Sequence, residues 1–282
     1  MEKLVVIGLG LIGGSLALDL KKREGYKVYG IDQNPEHIKK ALSLGIIEEE
    51  IDFPRLADAS VVIVAVPVNK IPEVILKVLD NVSEDTLVFD VGSVKNEICK
   101  AIQNHPNRKN FVAAHPLAGT EFSGPEAAIL NLFDHKVTIL CETEKCGWQM
   151  LDKGLSLFKK LNMRIKMMNP AEHDRHIAYV SHLSHVSSFM LGKTVLEIEK
   201  NEQYIFDMAS TGFASTVRLA KSSSSTWTPI FLQNKENVIR SLEEYIKNLN
   251  EFKEMIEKDD EDGLNRTMNN TNYIKTILKG IN

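Results

Sequence analysis

Lys3-Leu4-Val5-Val6-Ile7-Gly8-Leu9-Gly10-Leu11-Ile12-Gly13 decides the fold. An apolar run of strand length, residues 3–8, closes on a Gly-x-Gly-x-x-Gly motif that opens a helical stretch over residues 11–23. Such a motif alone says little. Between a strand and a helix it describes the phosphate-binding turn of a dinucleotide site. Gly8 permits the tight turn, Gly10 lets a pyrophosphate approach the backbone, and Gly13 lets the helix pack closely on the sheet. The N–H groups and dipole at the helix start favour phosphate, with Leu11 and Ile12 in that first turn. Asp32 ends the next candidate strand, 24 residues after Gly8 (32 − 8), where a carboxylate accepts from ribose hydroxyls and repels a 2′-phosphate. No arginine lies in residues 33–40, so the pattern selects NAD over NADP. Val66-Pro67, at the end of a third strand, completes the expected cofactor site.

Outward from this turn, short apolar runs alternate with helical stretches as far as residue 168. Strands are predicted over residues 3–8, 27–32, 61–66, 87–90, 111–115, 136–140 and 163–168, and helices over 11–23, 35–44, 70–78, 95–103 and 146–160. The unbroken apolar run Val61-Val62-Ile63-Val64-Ala65-Val66 suits a strand covered on both faces of a parallel sheet. After Asn169-Pro170 no strand is evident. Helices are predicted over 170–196, 202–221, 227–257 and 260–278, the third capped by Ser225 or Thr226 with Pro229 in its first turn. The expected class is α/β: a Rossmann-type, doubly wound parallel sheet in residues 1–168, then an all-helical domain in residues 169–282.

Composition narrows the function classes. Of 282 residues 43% are hydrophobic and 26% charged, with a net charge of −4. That balance recruits neither nucleic acid nor an anionic membrane, so an anionic substrate needs specific local cations. No apolar run approaches the roughly 18 residues of a membrane span, and no signal peptide is visible. Three cysteines (Cys99, Cys141, Cys146) are too few and wrongly spaced for a disulfide framework or zinc, which makes a reducing cytoplasm the expected location.

His115-Pro116-Leu117-Ala118-Gly119-Thr120-Glu121-Phe122-Ser123-Gly124 resembles the prephenate dehydrogenase family. The likeness extends to Asp90-Val91-Gly92-Ser93-Val94-Lys95, His173-Asp174-Arg175-His176, Ser181-His182-Leu183-Ser184-His185 and Arg218-Leu219-Ala220-Lys221-Ser222 with Trp227. With the glycine motif, these blocks span the whole chain in order. The resemblance implies an NAD-dependent enzyme of tyrosine biosynthesis, a homodimer, that oxidises and decarboxylates prephenate to 4-hydroxyphenylpyruvate. That reaction needs a base for the ring hydroxyl, a hydride acceptor and cationic anchors for two carboxylates. It needs no metal.

His115 lies at a strand end on the carboxyl edge of the sheet, where ligands of open α/β sheets bind, and its imidazole suits proton acceptance near neutral pH. The resemblance assigns it that role. Ser93 reads as an N-cap for a helix beginning at Val94, and the family pattern adds a hydroxyl offered to His115 or the substrate. Arg218 matches the family arginine that holds a carboxylate, a task for which guanidinium's paired donors are fitted. Thr120, Glu121 and His185 are expected on the substrate side. At 100° per residue on an unbroken helix, His173 and His176 face away from His182 and His185, so no single ion collects all four. Asp174 then serves as polar support, and His182 as a core histidine. Ala214 stands where many family members carry a basic residue, which removes an ion pair with an acid such as Glu121.

The same blocks fit arogenate dehydrogenase, which runs this chemistry on an amino-acid side chain. A β-hydroxyacid or 6-phosphogluconate type would lean on a helical-domain lysine and fits the His115 block poorly. A catalytically silent NAD sensor is the alternative from another class, against which His115, Ser93 and Arg218 together weigh. The chain is expected to leave no room for a fused chorismate mutase or separate regulatory domain, so that any feedback by tyrosine acts at the active site.

Overall fold

The computed structural model describes residues 2–200 and 204–279. Eight strands, β1 (Lys3–Ile7), β2 (Lys27–Ile31), β3 (Glu49–Glu50), β4 (Val61–Val64), β5 (Leu87–Asp90), β6 (Phe111–Pro116), β7 (Val137–Cys141) and β8 (Arg164–Met168), form one sheet. Their order is β3-β2-β1-β4-β5-β6-β7-β8. The chain leaves β1 in one direction for β2 and later returns to its other side with β4, so Gly8 ends the strand at which the winding reverses. Open α/β sheets bind ligands at that point.

Helices α1 (Leu11–Glu24), α2 (Pro35–Ser43), α3 (Ile71–Asn81), α4 (Asn96–Ile102) and α5 (Trp148–Lys160) flank the sheet. Every residue of β4 and β5 is buried, as continuous apolar runs require. Alternate strand residues feed two cores. Leu4, Val6 and Phe89 pack with Leu16 and Leu20 of α1 and Phe158 of α5. Val5, Val62 and Val88 pack with Ile75 of α3 and Ile98 of α4. Each such side chain contributes about 1.5–3 kcal/mol by leaving water.

The sheet departs from expectation in two places. β7 runs antiparallel to β6, with His115 opposite Ile139. The link between them, residues 117–136, has only the single 3-10 turn Pro125–Ala127 in place of a crossover helix, so the chain returns along the same edge. β3, two glutamates beside β2, is too short to show alternation in the sequence.

Among the described residues no strand follows Met168. Asn169 caps α6 (Pro170–Ile177), its side chain accepting from the Ala171 N–H at 2.9 Å, with Pro170 in the first turn. A wider π-helical turn, Ala178–His182, joins α6 to α7 (Leu183–Glu199). The stretch predicted over 202–221 is not one helix. Its first two residues, Glu202 and Gln203, lie outside the described residues, and the remainder holds a 3-10 turn Phe206–Met208, α8 (Thr211–Thr216) and another 3-10 turn, Arg218–Lys221. Ser210 is extended, which breaks the helical run before α8. The stretch predicted over 227–257 divides at Asn234 into α9 (Ser224–Gln233) and α10 (Lys235–Glu257). Ser223 is the N-cap position of α9, so Pro229 falls inside the helix rather than in its first turn. The last stretch divides into α11 (Glu261–Thr271), capped by Asp260, and α12 (Ile274–Leu278).

The chain forms two compact units, Met1–Lys235 and Glu236–Asn282. The first contains the whole sheet and α1 to α9. The second contains α10 from Glu236 with α11 and α12.

Candidate active site

At the end of β1 the backbone is shaped by neighbours that tolerate no side chain. Gly8 has φ +94°, and a Cβ there would lie 2.5 Å from the Ala65 carbonyl oxygen. A Cβ on Gly13 would lie 2.0 Å from the carbonyl oxygen of Gly8. Gly10 differs, because a Cβ there would meet no protein atom within 4 Å. The protein's own packing does not demand a bare backbone at Gly10. Among the described residues no side chain caps α1, and no acid occupies its first turn. Leu11 is buried, Ile12 and Val66 are half-buried, and Pro67 is exposed. Asp32 steadies the turn, accepting from the Leu9 N–H at 2.8 Å and the Asn34 N–H at 2.9 Å. His37 brings its Nδ1 within 3.3 Å of the same carboxylate. His37 lies in the first turn of α2, within the arginine-free stretch 33–40.

β1, β4, β5 and β6 run parallel, so His115 of β6 stands on the same sheet edge as the glycine turn. Its ring is buried and its Nδ1 lies 2.8 Å from His173 Nε2. His173 Nδ1 in turn lies 2.7 Å from Asp174 Oδ1. Burial, above all, holds His115 well below the usual histidine range, and the neighbouring His173, Lys95 and His182 act in the same direction. Burial disfavours the charged ring, so His115 rests as a neutral imidazole able to accept a proton.

Asp174 also corrects the expected role of Ser93. α4 begins at Asn96, too far along for Ser93 to cap it. The Asp174 carboxylate does so from 79 positions away, accepting from Lys95 N–H at 2.8 Å and Asn96 N–H at 2.9 Å. Ser93 is half-buried in the loop between β5 and α4. Lys95, fully buried, pairs with Asp90 and donates to the Ala114 carbonyl at 2.7 Å. Asp90 accepts the N–H groups of Gly92 at 2.8 Å and Ala114 at 3.2 Å. This knot ties β5, the start of α4 and β6 together under His115. Nothing local to Lys95 in the sequence, where Asn96 and Glu97 follow it, announces that it is buried.

The π-helical turn alters the expected histidine geometry. It carries more residues per turn than an α-helix, so residues beyond it are rotated relative to an unbroken one. His173 and His182 are both buried and both act on His115, while His176 is exposed. His182 Nδ1 lies 3.2 Å from Asn234 Nδ2, and burial lowers this histidine to about 4. His185 stacks on Trp227 with ring centroids 3.3 Å apart, its Nδ1 3.0 Å from the Ser181 carbonyl. Burial lowers its pKa, the Ser181 bond opposes this, and the nearby Arg218 charge lowers it further. Arg218 Nη1 lies 3.6 Å from Glu121 Oε2. The acid left without a partner by Ala214 therefore faces Arg218 itself. Thr120 is exposed, its hydroxyl accepting from the Phe122 N–H at 3.3 Å. Among the described residues no group of three or more His, Cys, Asp or Glu side chains is placed to hold a metal ion.

Two family models match the chain. "Prephenate dehydrogenase, nucleotide-binding domain" covers residues 16–167, and "Prephenate dehydrogenase, dimerization domain" covers residues 169–270. The prephenate dehydrogenase of Bacillus subtilis is 33% identical over 281 residues, 98% of this chain and 74% of that protein. The crystal structure of prephenate dehydrogenase from A. aeolicus, in complex with hydroxyphenyl propionate and NAD+, superimposes with a TM-score of 0.90 at 34% identity, covering 99% of this chain and 98% of that one. Synechocystis arogenate dehydrogenase gives a TM-score of 0.78 at 29% identity, over 97% and 99% of the two chains.

Proposed function

The chain belongs to the prephenate dehydrogenase family, and from that premise we propose that it is an NAD-dependent prephenate dehydrogenase of tyrosine biosynthesis. The observation that carries this reading is the buried, neutral His115 on the same sheet edge as a dinucleotide turn. Gly8, Gly10, Leu11, Ile12, Gly13, Asp32, Val66 and Pro67 hold the cofactor, and the open space over Gly10 fits a pyrophosphate against the backbone. NAD, when bound, supplies the hydride acceptor.

His115 accepts the ring hydroxyl proton as that carbon is oxidised, with Ser93 offering its hydroxyl nearby. Loss of carbon dioxide then leaves an aromatic ring, which drives the step forward. Arg218 holds a substrate carboxylate through paired N–H bonds. His185, braced against Trp227, presents its other ring nitrogen to the substrate. Thr120 and Glu121 line the mouth, and Glu121 holds Arg218 until a substrate carboxylate replaces it.

By function we divide the chain into an NAD-binding domain, residues 1–168, and a substrate-binding and dimerisation domain, residues 169–282. A homodimer is supported on α10 by Ile239, Ile246, Leu249 and Ile256, all exposed and sharing one face at helical spacing. A 31.7 kDa species in light scattering at micromolar concentration would count against it. Three free cysteines support a reducing cytoplasm.

The resemblance to Synechocystis arogenate dehydrogenase favours a second reading, arogenate as substrate. NADH production by the purified protein, comparing prephenate with arogenate and NAD with NADP, tests both. Higher kcat/KM with prephenate and NAD is expected. No turnover of either substrate would leave a silent NAD-binding protein.

A further inference from the structure

Resting on the reading of His115 as proton acceptor, we propose that His173 and Asp174 are positioning residues that fix the tautomer of His115 and stabilise the charge it acquires. At neutral pH a carboxylate only accepts hydrogen bonds. Asp174 Oδ1 lies 2.7 Å from His173 Nδ1, so that nitrogen carries the hydrogen. A neutral His173 then has a bare Nε2, which can only accept from His115 Nδ1 at 2.8 Å. The hydrogen of neutral His115 therefore sits on Nδ1, and the lone pair on Nε2 is left for the substrate.

The opposite tautomer of His115 would set two bare nitrogens against each other among buried side chains. When the substrate O–H bond breaks, its proton forms the Nε2–H bond of His115, and the electron pair stays on the substrate oxygen. The new imidazolium still donates from Nδ1 to His173. His173, polarised by the Asp174 carboxylate, meets that charge with its most electron-rich edge. The carboxylate itself is immobile, because Lys95 N–H and Asn96 N–H anchor it at the start of α4. Asn234, at the break between α9 and α10, fixes the same residue, donating to the Asp174 carbonyl at 2.7 Å. Three elements thus converge on orienting one base.

The test pairs two variants with a spectroscopic reading of the wild type. In His173→Leu the acceptor is gone, and kcat should fall roughly 10–100-fold with prephenate KM little changed. In His173→Gln the amide oxygen can accept from His115 Nδ1, and most of kcat should return. ¹⁵N-histidine NMR of the full-length wild type should place the hydrogen of His115 on Nδ1, and the leucine variant should shift hydrogen to Nε2. A wild-type spectrum with hydrogen on Nε2 overturns the proposal even if the leucine variant does not fold. So does a folded leucine variant that retains wild-type kcat, or a glutamine variant no better than leucine. Failure of the base reading looks different: His115→Asn would then keep its kcat whatever the tautomer.

Discussion

The glycine turn after β1 and the histidine chain behind β6 stand on one sheet edge and are built by opposite means. In the turn, backbone geometry does the work, and its glycines fall within six consecutive residues, Gly8 to Gly13. In the histidine chain, side chains do the work, and its members come from 58 and 79 positions apart. The turn is intolerant of volume, since a Cβ on Gly8 or Gly13 meets backbone oxygen. The histidine chain is intolerant of charge in the wrong place, since His115 Nδ1 and both ring nitrogens of His173 are committed to one another and to Asp174.

The contrast is broken most directly at His115. His115→Asn should lower kcat by roughly 10²–10⁴, the usual cost of removing a general base, with KM for prephenate little changed. Steady-state kinetics with retained kcat would make the histidine chain a structural feature like the turn.

Acid should separate the two regions next. Burial lowers His182 to about 4 in the folded protein, against an ordinary value of 6.5. As pH falls, the unfolded chain takes up the proton first. Stability is therefore full above about pH 6.5 and is lost as pH falls towards 4, by on the order of 3 kcal/mol from this residue. His115 shifts in the same direction. Urea melts at pH 7 and pH 4.5 should show the loss, and His182→Leu should lose less than wild type over that interval. Equal losses would mean that His182 does not carry the dependence.

Arg218→Ala removes a charged anchor worth about 1.5–3 kcal/mol, so KM should rise at least tenfold before kcat suffers comparably. A fall in kcat at unchanged KM would place Arg218 in the chemical step instead of in binding.

The same contrast explains what the sequence disclosed. The glycine turn, Asp32 and the buried strands were legible because each depends on residues within one strand–turn–helix unit. His115, Ser93 and Arg218 could be named by resemblance, but their partners could not. Asp174 replaces Ser93 as the cap of α4 only because α6 packs there. The face presented by His182 depends on a π-helical turn that no periodicity announces. The antiparallel β7 was hidden for a similar reason, since β strand patterns carry no direction.

Asp32 sharpens the comparison from the side of the turn, where its carboxylate holds the backbone and is proposed to face the ribose. Asp32→Ser keeps one acceptor for Leu9 N–H and loses the charge that repels a 2′-phosphate. The preference for NAD over NADP should shrink by about tenfold, the value of one charged hydrogen bond. Unchanged kcat/KM ratios for the two cofactors would move the selectivity elsewhere, with His37 the nearest candidate.

The smallest effect is expected at the exposed rim. Arg218 and Glu121 approach to 3.6 Å, with side chains 54% and 27% exposed. A pair so open to water contributes at most about 1 kcal/mol. If Glu121 holds Arg218 until substrate arrives, Glu121→Gln relieves a competitor for the guanidinium. KM for prephenate should then fall by no more than about fivefold, the equivalent of that energy. kcat should not change, because the pair lies outside the His115 chain, and added salt should narrow the difference between variant and wild type. A rise in KM would show that Glu121 helps to bind the substrate and does not compete with it. A fall in kcat would couple the rim to the histidine chain and erase the division between solvent-screened binding and buried chemistry.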